Sequence, residues 1–229
     1  MDPPPSLERH KYSKDYDEVR KVGGMNSLER PQDRADVARF FAVVPPSLWN
    51  MVAAQIAATH RLSLAETARA FALVNMAMLD ASIATFDTKY HYNFWRPETA
   101  IRAGDADGIA RTEGDPSFVP FITTPCFPSY PSAHAALSGA AREVLERLFG
   151  RRPRAITLST PAVPGVTLHY TRLKEITDDI DDARVYGGIH FRFDQEAGTE
   201  QGRRVGAYVY EHNLRPAREC SCRQDDLQK

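Results

Sequence analysis

The stretch from Leu62 to about Asn93 constrains the fold more than any other. It is the longest segment with a sustained helical period, and its middle, Ala70 to Leu79, is apolar nearly all round. A helix that is apolar on every side needs protein neighbours on several sides, and a bundle supplies them. Ser63 stands at its start with Glu66 three residues on, the spacing of a capping box. Pro97, near its far end, predicts a stop or a kink.

The remaining segments provide the neighbours. From Pro31 to Val43 an amphipathic helix is expected, with Val37, Phe40, Phe41 and Val44 on one face, and Pro45-Pro46 ends it. A second helix, Ser47 to His60, turns Trp49, Val52, Ile56 and Ala57 inward. An alanine-rich helix runs from Pro131 to Phe149 and stops at Gly150. Another runs from Thr171 to about Tyr186 and breaks at Gly187-Gly188. The last, about His190 to His212, carries Gly198, Gly202 and Gly206 four apart, small residues that let a second helix come close. Gly104 to Tyr130 keeps no period and reads as a long loop, and Ala155 to Pro164 as an extended segment.

The expected fold is therefore all-α: a helical bundle with an anion site at helix ends in its core. Residues 1–30, charged and proline-rich with only Tyr12, Tyr16, Val19 and Val22 at helical spacing, read as a loosely structured N-terminal segment. Residues 31–216 form a single helical catalytic domain, and residues 217–229 a polar tail. Cys220-x-Cys222 lies in that tail and reads as solvated rather than as a metal or redox pair, and three cysteines make no disulfide framework.

A net charge of -1 leaves no basic excess to hold a phosphate backbone, so nucleic acid is not an expected partner. Apolar runs such as Phe71 to Leu79 are too short to span a bilayer, so no membrane is expected. Met1-Asp2-Pro3-Pro4-Pro5 has no secretory pattern. As written the chain is expected in the cytoplasm, or secreted if the N-terminus is truncated.

Three stretches carry chemistry. Lys89 and Arg96 are almost two helical turns apart, so a continuing helix projects both from one face. A solvated face explains such a pair equally well, but Tyr90, Tyr92, Phe94 and Trp95 suggest burial, and buried cations need an anion. At Pro131-Ser132-Ala133-His134 a helix start offers free N–H groups, a hydroxyl and an imidazole that exchanges protons near neutral pH. The bland alternative is a capped helix with an incidental histidine. In Arg184-x5-His190-x3-Asp194 the aspartate lies one turn after the histidine and can hold its second N–H, leaving the other nitrogen as nucleophile or metal-atom ligand. A surface pair is the alternative. Together, Lys89, Arg96, Arg184, Ser132, His134 and His190 backed by Asp194 suit a tetrahedral oxyanion such as phosphate or vanadate. A zinc site at His190 and Asp194 is disfavoured, because the three cations repel a divalent ion.

In order and spacing these motifs resemble the three-part signature of the phosphatidic-acid phosphatase type 2 superfamily. Tyr92-Asn93-Phe94-Trp95-Arg96-Pro97, Phe127-Pro128-Ser129-Tyr130-Pro131 and Gly188-Ile189-His190-Phe191 are more similar to its vanadium-dependent haloperoxidase branch. The resemblance implies His190 as the ligand to the metal atom, His134 as acid–base and Asp194 as the group that orients His190. It implies Lys89, Arg96, Ser132, the Ala133 N–H and Arg184 as holders of the vanadate oxygens, with Lys89 also polarising the peroxide. Phe127 resembles an aromatic near the halide position. Vanadate is the implied cofactor, with phosphate able to occupy the same site, and hydrogen peroxide and halide are the substrates.

The alternatives are an acid phosphatase, acting on a phosphate monoester through a phosphohistidine at His190, and a catalytically impaired anion-binding domain. A homodimer is the assembly this reading admits. Two positions depart from the family pattern. Ala133 replaces a glycine, adding a Cβ beside the anion, and Ala183 replaces a serine before Arg184.

Overall fold

A capping box opens the long central helix. The Glu66 amide donates to the Ser63 hydroxyl at 3.3 Å, and the Ser63 amide donates to the Glu66 carboxylate at 2.8 Å. The structure, a computed structural model, describes residues 1–152 and 155–215, so Cys220, Cys222 and the expected tail lie outside the described residues. Within them the helices are α1 (His10–Val22), α2 (Gln32–Phe40), α3 (Pro45–His60), α4 (Leu64–Tyr92), α5 (Pro97–Arg102), α6 (Ala133–Phe149), α7 (Leu173–Tyr186) and α8 (Arg192–His212). A hairpin of β1 (Ile156–Ser159) and β2 (Thr167–Tyr170) interrupts them, paired antiparallel with Ile156 opposite Tyr170. The all-α bundle expected from the sequence is what forms.

The middle of α4 is buried on one broad face, while Leu79 and Ile83 on the opposite side remain 62% exposed, so the all-round burial expected from its composition is only partly met. Leu73, Val74, Ala77, Met78 and Ala81 join one cluster with Leu48, Trp49, Val52 and Ile56 of α3, Ala140, Ala141, Val144 and Leu145 of α6, and Ile176 and Ile180 of α7. The helix is longer than the apolar runs read from the sequence, and by length and composition it could cross a membrane. Its packing against α3, α6 and α8 gives much of that surface a protein partner instead. The glycines of α8 meet α6 at backbone distance: a Cβ on Gly198 would stand 2.4 Å from the Ser132 carbonyl, and one on Gly206 2.6 Å from that of Ala140.

Within the N-terminal segment, α1 is seated on the core. Tyr12, Tyr16 and Val19 are fully buried in a second cluster with Ala100, Ile101, Phe118, Tyr130, Val185, Phe191 and Phe193. Two tyrosines one turn apart bring enough apolar area to seat a short helix whose other faces are charged, and overall composition hid that. Asp15 of α1 also accepts from the Phe193 amide at 2.9 Å, which ties α1 to the start of α8.

Several boundaries shift for identifiable reasons. Pro45 and Pro46 occupy the first turn of α3, where a missing N–H costs nothing, so they open that helix as well as follow the previous one. Pro131 stands outside α6, which begins at Ala133 after the Ser132 cap. The last helix begins at Arg192 rather than His190.

Candidate active site

Three chain segments converge where α4 and α7 end and α6 begins. Lys89 lies in the last turn of α4, and the helix ends at Asn93 in the left-handed conformation, φ 47°. The helix therefore does not continue to Arg96, and the expectation that Lys89 and Arg96 share one helical face is corrected. Arg96 is the N-cap of α5, turned back towards the site. Phe127 brings the two cations together: the Lys89 Nζ is 5.2 Å from its ring centroid and the Arg96 guanidinium carbon 4.9 Å. Lys89 Nζ also donates to the Pro128 and Ser129 carbonyls at 2.7 and 2.8 Å, and Arg96 Nε to that of Phe127 at 2.8 Å. The loop that showed no period is thus the cradle for both cations.

Ser132 caps α6 by accepting from the Ala135 amide at 3.3 Å, which leaves its own O–H proton free to donate. The Ala133 and His134 amides, in the first turn, have no acceptor within the helix. Ala133 is in ordinary helical conformation and is absent from the positive-φ residues, so its Cβ strains no backbone. His134 lies close to Val43, whose carbonyl is 3.2 Å from Nε2. A carbonyl only accepts, so Nε2 carries the proton and Nδ1 is the nitrogen left to exchange one.

Arg184 sits near the end of α7 and donates through Nη1 to the Phe41 carbonyl at 3.2 Å. His190 and Asp194 do meet, but not across one face of a helix. His190 precedes the Phe191 N-cap, and Asp194, three residues into the α8 start, reaches back: its Oδ2 accepts from the Phe191 amide at 3.1 Å and from His190 Nδ1 at 2.9 Å. Arg96 Nη1 stands 3.0 Å from His190 Nε2 and can only donate. His190 Nε2 is therefore the unprotonated nitrogen, with its lone pair towards the cations, and Nδ1–H is held by Asp194.

Sequence reasoning missed Ser129. Its hydroxyl is fully buried and donates to Asp194 Oδ2 at 2.5 Å, so three donors converge on one carboxylate oxygen. No local pattern distinguishes Ser129 from other loop serines; only the fold brings it to Asp194. The Ser132 amide also donates to the Asp194 carbonyl at 2.9 Å, fixing the α6 start to the α8 start.

The electrostatics are those of a site that wants an anion. Lys89, Arg96, Arg184, His190 and Asp194 are all buried, three basic side chains against one carboxylate. Burial and then neighbouring cations push Lys89 far down and Arg184 to about 9, burial alone lowers Arg96 to about 10 against the pull of Asp194, and burial first and the same cations next hold both histidines well below their usual range. Burial raises Asp194 despite its donors. Arg96 Nη2 and Arg184 Nε are buried without a hydrogen-bond partner among the described residues. Such donors are costly to leave unmade. A tetrahedral oxyanion satisfies both, and the donor set fits vanadate or phosphate. Ala183 is enclosed in the core, where a hydroxyl would have to find a partner of its own.

Comparison with known proteins gives concordant results. The family model of the vanadium chloroperoxidase second helical-bundle domain matches residues 69–219. The chain is 25% identical to a vanadium chloroperoxidase of Curvularia inaequalis, over 87% of this chain and 43% of that protein. It resembles the structure of a bacterial vanadium-dependent iodoperoxidase with a TM-score of 0.77 and 31% identity, covering 91% of this chain and 52% of that one. A holo-type bacterial vanadium-dependent chloroperoxidase shares the fold, with a TM-score of 0.69 at 18% identity over 87% and 47% of the two chains. This chain thus spans about half the length of the relatives it matches.

Proposed function

We propose, for a chain that belongs to the vanadium haloperoxidase family through its second helical-bundle domain, that it oxidises halide with hydrogen peroxide on a vanadate held at His190. The observation that carries this reading is the pair of donors orphaned among the described residues, Arg96 Nη2 and Arg184 Nε, beside an unprotonated imidazole nitrogen that only Arg96 Nη1 contacts among the described residues, at 3.0 Å. When bound, vanadate supplies a Lewis-acidic centre that activates hydrogen peroxide towards halide.

The chain's own residues do the rest. Asp194 and Ser129 fix the His190 tautomer, so that Nε2 presents its lone pair as the ligand atom. Lys89, Arg96 and Arg184 balance the anion's charge, and the Ser132 hydroxyl with the Ala133 amide donates to its oxygens. His134 takes and returns protons at Nδ1 as peroxide enters and water leaves. Phe127, under Lys89 and Arg96, walls one side of the site, the side this reading gives to the halide.

The deciding assay follows iodide, bromide and chloride oxidation with hydrogen peroxide, with and without orthovanadate, beside hydrolysis of an aryl phosphate. We expect halide oxidation that depends on vanadate. The same lone pair on His190 Nε2 could attack phosphorus, so aryl phosphate hydrolysis inhibited by vanadate would replace this reading with the phosphatase one. Neither activity, with phosphate still bound, would leave an anion-binding domain.

His134→Ala separates chemistry from binding. Turnover should fall by about 10²- to 10⁴-fold, the usual contribution of a general acid–base, while vanadate affinity changes much less. Equal turnover in the variant and the parent removes the role assigned to His134.

A further inference from the structure

Where α6 ends and α7 begins, a cavity of about 410 Å3 is lined by six basic side chains, Arg142, Arg151, Arg152, Arg172, Lys174 and Arg203, and one carboxylate, Glu146. Part of this charge is matched. Lys174 pairs with Asp178 at 2.7 Å, Arg203 with Glu143 at 3.1 Å and Arg142 with Glu146 at 3.4 Å. Arg151, Arg152 and Arg172 have no carboxylate within ion-pair distance among the described residues. Water screens these exposed side chains, and an anion held among them gains attraction from all three at once.

Arg142 supplies an independent sign. It is 8% exposed, its Nη1 donates to Thr177 Oγ1 at 2.8 Å, and its Nε is buried with no hydrogen-bond partner. That Nε faces Glu146 at 3.4 Å without hydrogen-bond alignment, so a better-placed acceptor in the cavity would complete it. Arg172 and Arg184 stand at opposite ends of α7, about 18 Å apart along the helix, so this cavity is not an extension of the His190 cluster.

We propose that this cavity is a second oxyanion site, which binds a compact polyanion carrying two or more phosphate or sulfate groups. Three unmatched guanidinium groups call for more charge than a single monoanion brings, and the volume is that of a small-molecule site. A net charge of -1 and a recessed cavity favour a small ligand over nucleic acid. The inference is independent of the haloperoxidase reading.

Calorimetric titration of the purified chain with sodium tripolyphosphate, at fixed ionic strength, tests it. We expect saturable binding that weakens by about tenfold or more in Arg151→Ala and in Arg172→Ala, each the loss of a charge-assisted contact. Both positions are exposed, so the fold survives either change. Binding should be unchanged in His190→Ala, which disables the first site. The proposal is overturned by any of four results: no saturable binding, equal binding in both arginine variants and the parent, loss of binding in His190→Ala, or binding to phosphatidylglycerol vesicles without binding to tripolyphosphate.

Discussion

Replacing His190 with alanine is expected to remove tight vanadate binding while the helices stay in place. The other donors hold the anion only through its oxygens, whereas His190 Nε2 is an unprotonated nitrogen beside Arg96, able to bond the metal atom itself. Changing a group that merely supports a metal ligand costs about 10- to 100-fold in affinity, so losing the ligand itself should cost more than about 100-fold. The fold tolerates the change because neither neighbour is stranded. Arg96 Nη1 keeps the Ile189 carbonyl at 2.8 Å, and Asp194 Oδ2 keeps Ser129 and the Phe191 amide. Titration followed by vanadium NMR, with helicity monitored by circular dichroism, reads both quantities. Vanadate bound by His190→Ala with the affinity of the parent would show that the oxygens' donors alone make the site, and the role assigned to His190 would fall.

How far the sequence carried differs between fold and site. Helix existence was legible wherever a period was long or a cap explicit: Ser63 with Glu66 announced α4, and Gly150 the end of α6. Residues 1–30 misled, because Tyr12, Tyr16 and Val19 supply nearly all the burial of α1 while its other positions set the composition. The site residues were legible as types in order, but their geometry was not. Asp194 meets His190 because it caps the α8 start, and Arg96 meets Lys89 because α4 stops early and the loop folds under both. Ser129, Phe41 and Val43 enter through long-range contacts that no local spacing encodes.

The stripe of small residues on α8 was legible, and it supports the second large effect: Gly202→Ala should destabilise the protein although alanine is the better helix former. In an exposed helix this change would gain about 1 kcal/mol. Here a Cβ on Gly202 would lie 1.9 Å from the Ala136 carbonyl oxygen and 2.7 Å from its carbon. Those are backbone atoms of α6, which cannot swing aside as a side chain would, so the two helices must separate. Overpacking of this kind costs about 3 kcal/mol or more. In a chain of this size that lowers the melting temperature by roughly 6–12 °C. Separation also has a consequence at the site. The Ser132 amide is bonded to the Asp194 carbonyl at 2.9 Å, and a Cβ on Gly198 would press on the Ser132 carbonyl, so the α6 start is registered against the α8 start by this same contact. Gly202→Ala should therefore weaken vanadate binding as well, without touching any group that meets the anion. A melting temperature equal to or above that of the parent would mean that α6 and α8 are held apart by something other than these glycines, and the coupling between packing and site would go with it.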